Sequence, residues 1–455
     1  MENKVREVKM RKIVFALGAA FMLICTAAAS EIDILTQKLL EKGVLTGGEG
    51  AQILSETNDE ITKNLALGES NSVPKWVQYL NLKGDIRYRI QIDKTLSATA
   101  ADMRVRERLR LRLNGTADLG SGFKLGLGFC SGTDDPRSTN QTLENSFEHP
   151  DLRIDLGWGE YSPVEGLTLL AGKFPYGSFL FKPSDLLFDT DLNFEGVAAD
   201  YKAPVLGDFL GVFASIGYLN IDENSASLAD PGLISAQVGV KANPGSGVYV
   251  KASIAMHMFE NVQGMASSVL PATGGAGASN TMITSTSTTY TTVTTLTNTT
   301  SIGRIKTDTV TKKYKFDYDC LNAGVEVGLT DMYFPLIKVF GEVVMNRAVD
   351  AALLSDMKNG YILGLSFGDA KVDEFGKCQT MISHRMLQQD AWVDFFADSD
   401  AYAGKTASLV NELKITFGFS KSANLEFDYY IGRAFPAQTG GTDTQVVQFD
   451  FNFKF

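Results

Sequence analysis

The chain has 455 residues and a formal net charge of −11, with 44% hydrophobic residues, 43 Gly, 28 Phe and 4 Cys. This apolar content is too high for a disordered chain, and the cysteines are too few for a disulfide scaffold. The acidic balance gives no basic footprint for nucleic acid, and after residue 30 no run approaches the ~18 apolar residues of a membrane-spanning helix. These observations exclude a disordered protein, a nucleic-acid-binding protein and a helical membrane protein.

The first 29 residues have the pattern of a targeting segment. Basic residues between Lys4 and Lys12 precede an apolar run from Ile13 to Cys25, and small residues follow at 27–29. This order is typical of a secretory signal peptide and is too short for a membrane anchor. We therefore predict a signal peptide over residues 1–29.

Residues 30–74 show helical periodicity. Ile34, Leu35 and Leu39 recur at three- and four-residue spacing, and Thr46 with Glu49 forms a capping-box pattern. Pro74 interrupts the pattern. We predict a short helical leader and linker over this segment.

After Pro74 the hydrophobic period changes from 3.6 to 2. From Leu80 to Ile92 apolar and polar residues alternate, and the last segment alternates similarly from Val447 to Phe455. The second segment alternates apolar residues with five arginines: Arg104, Arg106, Arg108, Arg110 and Arg112. Strict alternation over ~10 residues matches a tilted strand that crosses a bilayer.

About sixteen such segments follow one another to the end of the chain, with short and long connections in alternation. Their centres lie near residues 86, 108, 127, 156, 170, 198, 213, 237, 252, 320, 340, 363, 382, 414, 428 and 450. A soluble antiparallel sandwich also has alternating strands, but it seldom needs sixteen in one sheet. Closure removes every sheet edge and satisfies the backbone in lipid. The sequence therefore predicts an all-β fold, an antiparallel up-and-down transmembrane β-barrel over residues 75–455.

Three motifs near the middle of the chain resemble a known family. Ala171-Gly-Lys-Phe-Pro175, Leu186-Leu-Phe-Asp-Thr-Asp191 and Leu192-Asn-Phe-Glu-Gly-Val197 resemble the core of the putative-porin family of Gram-negative bacterial outer membranes. The resemblance implies a passive diffusion channel for small hydrophilic solutes and ions, surrounded by outer-membrane lipid.

The same resemblance implies partners and an orientation. It implies a homotrimer with the leader and the C-terminus in the periplasm. It also implies folding by outer-membrane assembly machinery, which recognises a C-terminal aromatic strand. In this chain the aromatic residues of that strand are Phe451, Phe453 and Phe455. The strand number independently predicts a lumen too wide for side chains to fill, and we expect lumen-facing positions to be polar.

Residues 174–193 join the fifth and sixth predicted strands, where general porins have an inward-folded loop. This candidate constriction loop and the residues just after it carry four acids: Asp185, Asp189, Asp191 and Glu195. The first two strands supply the candidate pore-lining cations: Lys83, Arg87, Arg89, Arg104, Arg106, Arg108, Arg110 and Arg112. Acids facing cations would create a transverse field that selects solutes. Alternatively, the arginines pair with neighbouring lumen acids such as Asp85 and only satisfy a polar interior.

The largest insertion, residues 259–312, is Gly/Ala-rich and then Thr-rich, which predicts a long outer loop or extended hairpin without a core of its own. Three scattered histidines, His149, His257 and His384, suggest neither a catalytic triad nor a metal site, so we expect no enzyme activity and no cofactor. Two alternatives to a general channel stay open. One is an anion channel, for phosphate-like solutes, that uses the arginines as a track, and the other is a structural barrel whose leader tethers the envelope.

Overall fold

A computed structural model describes residues 80–96, 101–223, 225, 229–265, 279–295, 301–330, 334–349, 357–435 and 443–455, with isolated leader positions between 38 and 56. The chain divides into a leader unit, Met1–Gln78, and a barrel unit, Tyr79–Phe455. The predicted signal peptide lies outside the described residues, as does most of the leader. In the leader, Glu49 accepts the backbone N–H of Thr46 at 2.9 Å, as in the predicted capping box.

Sixteen antiparallel strands among the described residues form a closed barrel. They are β1 (Leu80–Leu96), β2 (Ala101–Gly120), β3 (Phe123–Cys130), β4 (Arg153–Val164), β5 (Leu167–Phe174), β6 (Phe194–Leu206), β7 (Leu210–Asn220), β8 (Gly232–Gly245), β9 (Val248–Glu260), β10 (Asp319–Thr330), β11 (Leu336–Asn346), β12 (Asn359–Gly368), β13 (Cys378–Leu387), β14 (Ser408–Ser420), β15 (Ala423–Ala434) and β16 (Asp443–Lys454). Every predicted strand centre falls inside one of these strands, so the predicted barrel is confirmed.

The barrel closes where its first strand pairs with its last. The β1–β16 register runs from Asp85 opposite Lys454 to Leu96 opposite Asp443. At the end of this seam, Gly84 and Phe455 exchange two backbone hydrogen bonds of 3.0 Å. A Cβ on Gly84 would lie 2.4 Å from the Phe455 ring and 2.7 Å from the Arg112 carbonyl oxygen. Glycine therefore allows the terminal aromatic ring to cover the seam.

Strand alternation sends large apolar side chains to the outside of the barrel. Ile86, Leu113, Leu127 and Phe451 are all exposed on this outward face. The expected belt of apolar residues facing lipid is therefore present in the described strands.

Some lumen-facing positions are apolar, contrary to the expectation that these positions are polar. An apolar cluster lies inside the barrel between β5 and β13, built from inward-facing wall residues such as Phe174 and Phe340 and from residues of inward-folded connections such as Phe188 and Trp392. These connections carry enough apolar side chains to bury one another, which removes their surface from water. The lumen is therefore partly filled by packed loops.

Three connections contribute to this filling. The constriction loop (residues 175–193) joins β5 to β6, the inner loop (residues 388–407) joins β13 to β14, and residues 131–152 join β3 to β4. In the last of these, the short strand Gln141–Thr142 pairs with β2.

The Thr-rich insertion contains an antiparallel hairpin of Met282–Thr295 and Ser301–Tyr314. At its base, Tyr314 is fully buried and belongs to the lumen cluster. The expected hairpin is present, and its base packs into the lumen cluster of the barrel rather than forming a core of its own.

Candidate channel constriction

The register of β1 and β2 places four arginines in a square on the lumen wall. Arg87 lies opposite Arg110, and Arg89 lies opposite Arg108. Like charges directly opposite on adjacent strands repel and destabilise a sheet. This arrangement therefore requires compensating carboxylates.

Three carboxylates compensate the square. Asp450 of β16 binds Arg89 at 2.7 Å and Arg87 at 3.3 Å, and Asp400 of the inner loop lies 3.1 Å from Arg89. Asp85 bridges Arg110 at 2.6 Å and Arg112 at 2.8 Å. The alternative interpretation, in which the arginines pair with neighbouring lumen acids such as Asp85, therefore applies to part of this wall.

The remaining predicted cations have different surroundings. Arg106 pairs with Asp93 at 2.7 Å. In the described part of the chain Arg108 has no ion pair, and its guanidinium donates to Gln91, Ser138 and the Asn140 carbonyl. Arg104 is exposed towards the start of β2, and Lys83 lines the cavity described below. Arg108 is thus the least compensated arginine of the square.

The constriction loop lies inside the barrel, against inward-facing residues of the opposite wall. The Phe181 N–H donates to Gln237 Oε1 at 2.7 Å, and Gln237 Nε2 donates back to the Phe181 carbonyl at 2.9 Å. Pro183 packs where a Cβ on Gly324 would approach to 2.8 Å, and Ser184 donates to Glu342. The two hydrogen bonds of the Gln237 amide, the close packing of Pro183 on Gly324 and the hydrogen bond to Glu342 therefore hold the loop in the lumen.

An aromatic cage encloses Lys182 within this loop. The Nζ atom lies 2.9 Å from the ring centre of Tyr176, 4.6 Å from that of Phe194 and 5.5 Å from that of Phe188. Aromatic faces attract cations. Burial lowers the pKa of Lys182 well below its ordinary value, which the nearby Glu342 only partly offsets.

The four predicted acids do not share one environment. Asp191 pairs with Arg112 at 3.3 Å, and Asp185 pairs with Arg385 of β13 at 3.4 Å. Asp189 makes no ion pair within the described residues, and burial raises its pKa well above the ordinary value. Glu195 pairs with Lys173 at 2.8 Å and is exposed, one residue after the buried Phe194. By strand alternation Glu195 points outward, so the structure separates it from the other three acids.

The inner loop reaches the same region. Its Phe396 carbonyl accepts the Asp189 N–H at 2.8 Å, and its Ser399 N–H donates to Asp189 Oδ2 at 2.7 Å. Its Asp398 pairs with Arg385 at 2.7 Å. The sequence signal that could have indicated this placement is the aromatic set Trp392, Phe395 and Phe396 in a connection between two strands.

A cavity of about 710 Å³ remains between these loops and the barrel wall. Its lining includes arginines of β1 and β2, Asp398 and Asp400 of the inner loop, and Glu426 and Asp428 of β15. Opposite charges meet within this lining, since Asp400 lies 3.1 Å from Arg89 and Lys414 of β14 lies 3.4 Å from Asp428. The acids are more numerous than predicted, and most come from outside the constriction loop.

Other chemistry has little support in the described residues. Ser235 Oγ lies 2.9 Å from His257 Nδ1, but both side chains are buried and no carboxylate there hydrogen-bonds to His257. No group of three or more His, Cys, Asp or Glu side chains in these ranges is arranged to hold a metal ion. No helix of the described residues is long and apolar enough to cross a membrane.

The closed barrel and its charged cavity define a β-barrel channel protein. The family model described as "Putative porin" matches residues 93–455. The chain therefore belongs to the putative porin family and is an outer-membrane porin.

Several solved structures match the chain at low sequence identity. Pseudomonas putida OprB in its high-pH structure has 10% identity and a TM-score of 0.50, covering 83% of this chain and 94% of that chain. A loop-deletion mutant of Vibrio cholerae OmpT has 12% identity, a TM-score of 0.43 and coverage of 83% and 100%. A Rhodopseudomonas blastica porin triple mutant has 11% identity, a TM-score of 0.40 and the same coverage. The likeness to OprB shows the fold alone, and no curated protein matches the sequence.

Proposed function

We propose that this porin is a water-filled channel for passive diffusion of small hydrophilic solutes and ions, with selectivity set at the charged cavity. The observation that carries the proposal is the cavity of about 710 Å³, which is lined by arginines of β1 and β2 together with carboxylates of the inner loop and β15. It lies in a closed barrel of sixteen strands, the size at which an aqueous lumen is expected.

The charged groups around the cavity act on a solute through their electric field. Low-dielectric walls focus field lines in a narrow passage, which orients dipolar solutes and weights ions by sign. Asp185 of the constriction loop also lines the cavity, although it is already paired with Arg385. The inner loop supplies Asp398 and Asp400.

A phosphate-specific anion channel is less well supported. The carboxylates of Asp85, Asp93, Asp400 and Asp450 neutralise most of the arginine wall. A row of binding sites for anions needs cations without ion pairs. Of the four arginines in the square, only Arg108 lacks an ion pair within the described residues. The geometry therefore favours a weakly selective pore.

The orientation and assembly of the porin are part of the same proposal. Both ends of the barrel sequence, Leu80 and Lys454, lie at one rim, which we place in the periplasm together with the leader. The outward-facing Phe451, Phe453 and Phe455 would be read by the assembly machinery, and the barrel would function as a homotrimer.

Neutralising three of the arginines on β2 tests whether the charged cavity sets the selectivity. We expect the combined Arg106→Gln, Arg108→Gln and Arg110→Gln variant to conduct and to shift its reversal potential towards cation selectivity in a planar bilayer under a salt gradient. The control is Arg153→Gln, which removes a rim arginine paired with Asp134 and Asp151. An unchanged reversal potential in the triple variant would refute the proposal that these arginines set the selectivity.

A further inference from the structure

A second cavity, of about 390 Å³, lies beneath the constriction loop on the side of the lumen away from the arginine square. Residues 177–181 of the constriction loop line this cavity on the side of the loop. Its wall belongs to β6, β7, β8 and β9 and extends to Pro204 and Gly211, beside the β6–β7 turn. Because strands alternate in direction, this turn lies at the same rim as both barrel termini.

Three lysines project into this cavity from neighbouring strands: Lys202, Lys241 and Lys251. The acid beside them is already bonded, since Asp200 accepts from Ser215 at 3.0 Å and pairs with Lys202. The next acid, Glu326, accepts from Tyr249 at 3.0 Å and pairs with Lys338 at 3.5 Å. The cavity therefore has an excess of positive charge.

The cavity also has an aromatic side. Phe181 and Phe213 meet edge to face, with ring centroids 6.0 Å apart. Phe213 occupies the space that a side chain on Gly239 would fill, since a Cβ there would lie 2.2 Å from the ring. Lys251 Nζ lies 4.1 Å from the Phe181 ring centre and 5.3 Å from that of Phe213. The rings thus hold one ammonium in place while leaving an apolar surface beside it.

We propose that this cavity is a binding site for small organic anions that combine a carboxylate with an apolar body, such as aromatic carboxylates. The carboxylate would accept hydrogen bonds from Lys241 and Lys251, and the apolar body would lie against Phe181 and Phe213. This binding site depends on the proposed channel function in one respect, which is that solutes must be able to reach the lumen.

The test is calorimetric titration of the purified detergent-solubilised protein with benzoate. We expect Lys241→Gln and Lys251→Gln each to weaken benzoate binding roughly tenfold, the size expected for one charge-assisted hydrogen bond. Lys251→Arg retains the charge and should bind within about threefold of the parent, because arginine also stacks on aromatic faces. The matched control is Lys124→Gln, on β3, which removes an ammonium paired with Glu160 at 2.9 Å.

Two further probes separate charge from shape. Acetate has the carboxylate without the ring, and benzylamine has the ring with the opposite charge, so both should bind more weakly than benzoate. Equal binding of benzoate by the parent and both glutamine variants would overturn the site, as would an equal loss in Lys124→Gln.

Conductance recordings on the same proteins keep this site distinct from the channel function. A protein that conducts but does not bind benzoate refutes the site and leaves the channel intact. A protein that binds benzoate but does not conduct refutes the channel and leaves the site intact.

Discussion

Asp450 of β16 is the residue on which the arginine square depends most. It is 1% exposed and bridges Arg87 and Arg89, both of them also buried. Removing one partner of a buried ion pair leaves an uncompensated charge away from water. In a variant without this carboxylate, Arg87 would lose its one ion pair among the described residues, and Arg89 would keep only Asp400.

We therefore predict that Asp450→Asn lowers the free energy of unfolding by roughly 3–5 kcal/mol, measured by urea unfolding in lipid vesicles. The control is Asp93→Asn, since the Arg106–Asp93 pair is more exposed and should contribute about 1 kcal/mol or less. Equal losses in the two variants would contradict this account of the square.

Asp398 of the inner loop gives the cavity a pH dependence. Burial raises the pKa of Asp398 from 3.8 to about 6, while Arg385 acts in the opposite direction. In this interval the folded protein retains a proton that the unfolded chain has lost, so this carboxyl makes stability fall as the pH rises from about 4 to 6. The ionisable groups around Asp398 are Arg385, Asp185, Asp189, Asp400, Tyr176 and Tyr430.

The same ionisation should be visible in permeation. As the pH rises through about 6, Asp398 gains a negative charge at the cavity, and we expect the reversal potential to shift towards cation selectivity. The Asp398→Asn variant should lack this step. A variant with the same pH profile as the parent would assign the step to another group.

At the scale of elements, the base of the Thr-rich hairpin fastens the inner loop. Asp394 accepts the Ser279 N–H at 2.9 Å, the Ser279 hydroxyl at 2.7 Å and the Tyr314 hydroxyl at 3.1 Å. Asp390 accepts the Thr281 N–H at 2.8 Å and its hydroxyl at 2.6 Å. The inner loop in turn contacts the constriction loop through Asp189, so the three segments form one continuous network.

Loosening this network should widen the passage. We predict that Asp394→Ala, which removes three accepted hydrogen bonds, increases single-channel conductance and current noise because the inner loop is less well held. The control is Asp373→Ala in the turn between β12 and β13, where the carboxylate pairs with the half-buried Lys377, far from the inner loop in sequence. Unchanged conductance in Asp394→Ala would show that the hairpin base does not control the opening.

The strands could be predicted from the sequence, whereas the path of the loops could not. Strand alternation is local, and pairing with successive neighbours fixes which residues share a face, so Arg87 and Arg110 were both placed on the lumen wall. The inner loop depends on contacts between residues far apart in sequence, such as Ser399 with Asp189. No local periodicity encodes such a contact, and the acids Asp398 and Asp400 were missed for that reason.

For the whole molecule, apolar residues serve two purposes that composition alone does not separate. Some form the outward belt on a closed sheet, as Leu127 and Phe451 do, and others, including Phe188 and Trp392, pack inside the barrel. The lumen cluster leaves the charged cavity beside β1, β2, β15 and β16 as the candidate route for solutes.

Single-channel recording with covalent modification tests this route most directly. Thr190 is exposed on the constriction loop and lines the cavity, and Leu363 is exposed on the outward face of β12. In a background with Cys378 replaced by serine, a bulky thiol reagent should sharply lower the conductance of Thr190→Cys and leave that of Leu363→Cys unchanged. A Thr190→Cys channel that conducts equally before and after complete labelling would contradict the proposed passage.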